Sequence, residues 1–117
     1  MNEKERLLSF LGIARKAQRL SMGADAAKES LQKGKARLVL LAGDLSPRSE
    51  RNARAAAEEY RTPALSAGVS MDEIACAVGK RTGILAVNDA GFADKLRAML
   101  ENAAPQGTTE EVDSIDV

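Results

Sequence analysis

Two short runs of consecutive apolar residues interrupt an otherwise helical pattern: Leu38 to Ala42, and Ile84 to Val87. Each is too short to span a membrane. With β-branched members and flanking glycines, both read as strands buried on two faces of a sheet. They share a grammar. Gly34-Lys35 and Gly79-Lys80 precede them, and Asp44 and Asp89 each follow ten residues after the glycine. Shared architecture, with Gly as a helix C-cap and Asp as a turn or N-cap residue, accounts for this better than duplication does.

Around these runs, apolar positions recur at helical spacing. Residues 3–17 form a first predicted helix with Leu7, Leu8, Leu11 and Ala14 inward and Phe10 and Ala17 as further candidates. Leu20-Ser21-Met22 reads as a short extended piece ending at Gly23. A second helix runs from Ala24 to Lys33, burying Ala26, Ala27 and Leu31, with Ser30 a further candidate, and Gly34 stops it. Ser46 as N-cap and Pro47 at the first helical position start a third helix that runs to about Tyr60. It carries Arg48, Arg51 and Arg54 on one exposed side. Ala64-Leu65-Ser66 is a short strand. Ser70-Met71-Asp72-Glu73 is a capping box opening a fourth helix that ends at Gly79 and encloses Cys76 as a core thiol. A last helix begins at Asp89 or Gly91 and buries Phe92, Leu96, Met99 and Leu100. This order predicts an α/β protein, a three-layer α/β/α sandwich of about four strands and five helices.

Composition changes the picture by exclusion. The 117 residues fit one domain with one modest core. There is no His and a single Cys, which removes disulfides, Cys/His metal clusters and His-based acid–base chemistry. Met1 to Arg6 is charged, with no apolar stretch of the signal-peptide kind behind it, so a cytoplasmic protein is expected. Net charge is zero but unevenly placed. Residues 103–117 hold Glu110, Glu111, Asp113 and Asp116 and no Lys or Arg, and read as a disordered acidic tail. Seventeen basic and thirteen acidic side chains remain in residues 1–102, the predicted domain. A basic body with an acidic tail is compatible with a polyanionic partner.

Motifs for chemistry are missing. The Gly-Lys pairs lack the first glycine and the hydroxyl residue of a phosphate-binding loop, since Glu29 and Ile74 stand at the one position and Ala36 and Arg81 at the other. No nucleophile elbow occurs. Asp44 and Asp89 follow strands, where α/β ligand sites often lie, but neither has a catalytic partner near it in sequence. Neither an enzyme nor a cofactor is expected. Gly23 stands where an extended segment becomes a helix, a place where backbone N–H groups can meet an anion. Arg15, Lys16 and Arg19 cluster at the end of the first helix, partly explained by its dipole.

Several blocks resemble the ribosomal protein L7Ae family, and its bacterial YlxQ-like branch in particular. They are Leu11 to Ala17, Gly23-Ala24-Asp25, Gly34 to Asp44, Gly79-Lys80, and Ala86-Val87 with Asp89, Gly91-Phe92-Ala93 and Lys95-Leu96. The resemblance covers about residues 7 to 97. It implies an α/β/α sandwich that binds structured RNA, commonly kink-turns, in a ribosome- or translation-associated role, with no metal and no membrane. The RNA contacts it implies are the turn and helix start at Gly23–Glu29, with Gly23, Ala24, Asp25 and Lys28, then Gly43 and Asp44 after the central strand, and Val69 in an apolar loop. Arg15, Lys16, Lys33, Lys35 and Arg37 are expected to meet phosphate. The chain departs from the family's Gly-x-Asn-Glu-x-x-Lys pattern at Asp25, Ala26 and Glu29, and has Gly43 where Glu is usual. Asp25 can accept a hydrogen bond but cannot donate as an amide would, Ala26 removes a carboxylate, and Glu29 reverses a charge. The alternative is a protein-interaction module on the same fold without high-affinity RNA binding.

Overall fold

The computed structural model describes residues 2–103. Five helices and four strands alternate: α1 (Glu3–Lys16), β1 (Leu20–Met22), α2 (Ala24–Gln32), β2 (Leu38–Leu41), α3 (Pro47–Glu59), β3 (Ala64–Ser66), α4 (Met71–Val78), β4 (Ile84–Val87) and α5 (Ala90–Ala103). The predicted bounds hold to within about two residues. The expected tail from Ala103 onward lies outside the described residues, apart from Ala103 itself, which closes α5.

The strands form one sheet in the order β1-β4-β2-β3. β4 pairs antiparallel with both β1 and β2, and β2 pairs parallel with β3, so β1, β2 and β3 all run the same way. β2 and β4 occupy the centre, and every residue in them is buried. Period-two alternation splits their side chains between two layers. Leu38, Leu40, Leu85 and Val87 pack with Leu7, Leu11, Ile74, Val78 and Leu96 of α1, α4 and α5. Val39, Leu41, Ile84 and Ala86 pack with Ala27, Leu31 and Ala57 of α2 and α3. The predicted sandwich is therefore the fold observed.

Two inward assignments fail. Ala17 is exposed, because α1 ends at Lys16 and the chain leaves the core face there. Cys76 is exposed as well. Ile74 and Val78 supply the buried stripe of α4, and the position midway between residues four apart on a helix points away from their face.

Candidate nucleic-acid interface

Strand direction gives the sheet two chemically different edges. α2, α3 and α4 all start where β1, β2 and β3 finish, here termed the carboxyl edge. α1, α2 and α3 all end where those strands begin, the amino edge.

At the carboxyl edge the turns are laced together by backbone hydrogen bonds. Gly23 N–H donates to the Ile84 carbonyl (2.8 Å), Ala42 N–H to Gly83 (2.9 Å), Gly43 N–H to Val69 (2.7 Å) and Ala67 N–H to Leu41 (2.8 Å). The glycines there do different work. A Cβ on Gly83 would lie 2.6 Å from Leu45 Cδ1 and 3.1 Å from Met71 Sδ, so the tips of those two side chains would have to shift to admit one. A Cβ on Gly43 would meet nothing nearer than the Val69 carbonyl oxygen at 3.6 Å, ordinary contact. Gly23 has φ 103° and ψ 160°, a region reserved almost entirely for glycine, with no atom within 4 Å of the missing Cβ.

Helix capping separates α2 from its neighbours. Asn2 caps α1, Ser46 caps α3, Ser70 caps α4 in a full capping box, and Asp89 Oδ2 accepts from Phe92 N–H in the first turn of α5 (2.9 Å). α2 starts on Gly23 with no side-chain cap. Its first-turn N–H donors and the positive end of its dipole therefore face outward beside small residues, Gly23 and Ala24. Asp25 in that first turn is exposed, as is Lys28 one turn on. Both border a cleft of about 330 Å³ between α2 and α3, whose far wall carries Ser49 and Asn52. Those two polar residues escaped the sequence reading, since only the packing of α3 against α2 brings them opposite Lys28.

Asp44 and Val69 need restating. Asp44 Oδ1 accepts from Met71 N–H (3.0 Å), so this carboxylate reinforces the start of α4, the turn-capping role its sequence position suggested. The Val69 side chain is 2% exposed and belongs to the core, so this loop offers no Val69 side chain to a partner, and its carbonyl is occupied by Gly43. Arg81 reaches back along α4 to Asp72 (2.8 Å). The hydrogen bond and charge of Asp72, with Asp44 further off, raise its pKa above the ordinary arginine value.

The expected phosphate contacts are elsewhere. Arg15 and Lys16 close α1, Lys33 caps the end of α2, and Lys35 and Arg37 lead into β2. All five sit at the amino edge, and Lys33 is about 13 Å from Gly23 along the nine-residue α2. Lys33 is further committed to Glu29 (2.7 Å), and that hydrogen bond and charge, aided by Lys35, hold the Glu29 carboxyl below its ordinary range. The residues expected to contact RNA thus divide between the two edges. Among the described residues no group of three or more His, Cys, Asp or Glu could hold a metal ion, and no helix is long and apolar enough to cross a membrane.

Comparison with known proteins agrees with the fold and adds names to it. A sequence model of the ribosomal protein L7Ae/L30e/S12e/Gadd45 family matches residues 5–97. A protein of Enterococcus faecium called RNA-binding protein YlxQ is 26% identical over 103 residues, covering 86% of this chain and 99% of that one. A solved structure of a protein of unknown function from Bacillus halodurans superposes with a TM-score of 0.76 at 29% identity, covering 81% of this chain and 96% of that one. The Giardia lamblia 15.5kD RNA binding protein superposes with a TM-score of 0.69 over 89% of this chain and 90% of that one. Its 17% identity makes that a likeness of fold.

Proposed function

The chain belongs to the ribosomal protein L7Ae/L30e/S12e/Gadd45 family, in its bacterial YlxQ-like branch, and from that premise we propose a non-catalytic RNA-binding protein that grips structured, kink-turn-like RNA at its carboxyl edge. The observation that carries this reading is the open N-terminus of α2 beside four capped helices. Backbone donors with a positive dipole end suit a sharply bent phosphate backbone, and Gly23 and Ala24 let it come close. Asp25 can accept from a guanine edge, while Lys28 and the Ser49–Asn52 wall can hold the flanking strand. Asp25 brings a negative charge to the same place, which lowers the discrimination expected of the site. Such a protein would work in the cytoplasm, on ribosomal or other translation-associated RNA.

The test is a titration on a kink-turn RNA beside a straight duplex of equal length. The wild-type chain prefers the kink-turn modestly. Asp25→Asn, Ala26→Glu and Glu29→Lys combined sharpen the preference about tenfold, within the 1–3 kcal/mol of a good base-edge contact. Unchanged discrimination in the triple variant removes the α2 start from consideration. A protein-interaction module is the second reading, favoured by a groove of about 550 Å³ in which Leu7, Met99 and Leu100 lie beside Gly68 and Val69. Binding that ignores salt would favour it, because phosphate contacts weaken steeply with salt and apolar ones do not.

A further inference from the structure

The amino edge repeats one backbone device three times. α1, α2 and α3 each end in a Schellman turn, in which a left-handed residue lets two N–H groups return to carbonyls of the last turn. Arg19 N–H bonds to Ala14 (3.0 Å) and Gln18 N–H to Arg15 (3.0 Å). Lys35 N–H bonds to Ser30 (2.9 Å) and Gly34 N–H to Leu31 (3.1 Å). Thr62 N–H bonds to Ala57 (2.9 Å) and Arg61 N–H to Glu58 (3.0 Å). Each turn delivers a cation, Arg19, Lys35 or Arg61, to the start of β1, β2 or β3. Arg37 adds another. Leu20 and Leu38 both pair with Val87, so Arg19 and Arg37 flank β4 two strand spacings apart, about 10 Å. Arg61 lies one strand further, and with Arg37 and the half-exposed Tyr60 it borders a recess of about 310 Å³.

These cations are uncommitted. Arg15, Lys16, Arg19, Lys35, Arg37 and Arg61 are exposed, and none makes an ion pair among the described residues. The acids of this end include Glu29, held by Lys33, Asp89, held by Phe92 N–H, and Glu58 and Glu59 in the last turn of α3. Three helix C-termini contribute about half a negative charge each, which suits some of the cations but falls short of cancelling six full charges. Arg61 also has φ 53°, a left-handed value that glycine adopts without strain.

We propose that the amino edge is a second RNA surface, separate from the α2 start, that holds a single-stranded segment by its phosphates across Arg19, Arg37 and Arg61. Tyr60 in the recess presents a ring on which a base stacks. This inference rests on the RNA-binding reading for the class of its ligand, while its residues are independent of the kink-turn site.

The test uses the full chain and a labelled twelve-nucleotide oligouridylate, which has no kink-turn, titrated by fluorescence anisotropy across a potassium chloride series. The triple variant Arg19→Gln, Arg37→Gln, Arg61→Gly lowers the slope of log affinity against log salt by about two, at roughly 0.7 per single-strand phosphate contact. Tyr60→Ala weakens binding about fivefold or more. Arg61→Gly alone weakens binding while leaving the melting temperature unchanged or higher, a split that loss of fold would not give. A slope unmoved in the triple variant overturns the proposal. So does absent binding by the wild type, or tighter binding of polyglutamate of equal charge, which would make the edge a docking surface for acidic protein. Failure of the kink-turn titration leaves every arm of this experiment intact.

Discussion

The two edges of one sheet are built from the same helices and carry opposite chemistry. At the carboxyl edge three helices begin, and their positive ends gather oxygen: Ser46, Ser70, Glu73 and Asp44 all accept from backbone N–H groups, and Asp72 holds Arg81. Only α2 is left without such a cap there. At the amino edge three helices end, their negative ends suit cations, and six of those cations make no ion pair among the described residues. Counting Lys and Arg therefore points at one end of the molecule, and looking for open backbone donors points at the other. An RNA-binding surface on this fold is not identified by positive charge alone.

The largest effect is expected at the carboxyl edge, where side chains crowd Gly83 but not Gly43. Gly83→Ala makes the side-chain tips of Leu45 and Met71 shift and lowers unfolding free energy by about 1 kcal/mol, the low end of the cost of overpacking. Gly43→Ala, on the same edge but with its added Cβ in ordinary van der Waals contact, changes stability by less than about 0.5 kcal/mol. Urea denaturation of the two variants measures the difference, and equal losses would mean that both glycines serve packing.

At the amino edge the matching experiment is Gln18→Gly. Gln18 holds φ 61° in the Schellman turn of α1, and relieving that left-handed conformation stabilises the chain by about 0.5–1 kcal/mol. A loss of stability would show that the Gln18 side chain contributes more than its backbone strain costs.

The smallest effect separates the edges by pH. A backbone hydrogen bond from Ser70 first, and Lys4 second, keep the Glu73 carboxyl below its ordinary 4.5, and Lys33 does the same for Glu29. A folded-state pKa lower than the unfolded one gives stabilisation that is complete above 4.5 and lost as pH falls through the lowered value. Melting temperatures of Glu73→Gln and Glu29→Gln thus approach the wild-type value as pH falls below 4.5 and through the lowered values. Added salt erases the Glu29 difference at neutral pH, since that contact is an exposed ion pair, and leaves more of the Glu73 difference, which includes a backbone bond. Identical salt responses at both positions would contradict that assignment.

Local signals made much of the molecule legible in advance. Ser46-Pro47, the Ser70–Glu73 capping box and Gly79 act over a few residues, so helix limits could be read from them, and the two apolar runs announced the central strands. Gly79 and parts of both apolar runs also lie in the blocks that carried the family resemblance. What the chain could not show by itself is which residues share an edge. Lys33, Lys35 and Arg37 follow the α2 start closely in sequence, yet the helix carries them to the far end of the sheet. Val69 and Cys76 exchanged their expected exposures because burial depends on which face a neighbouring element covers. Arg19, Arg37 and Arg61 become one row only through the strand order β1-β4-β2-β3, with β4 running against the other three. Capping and periodicity are short-range and written in neighbouring residues, whereas strand order and direction are set by burying two apolar layers at once, and that is a property of the whole chain.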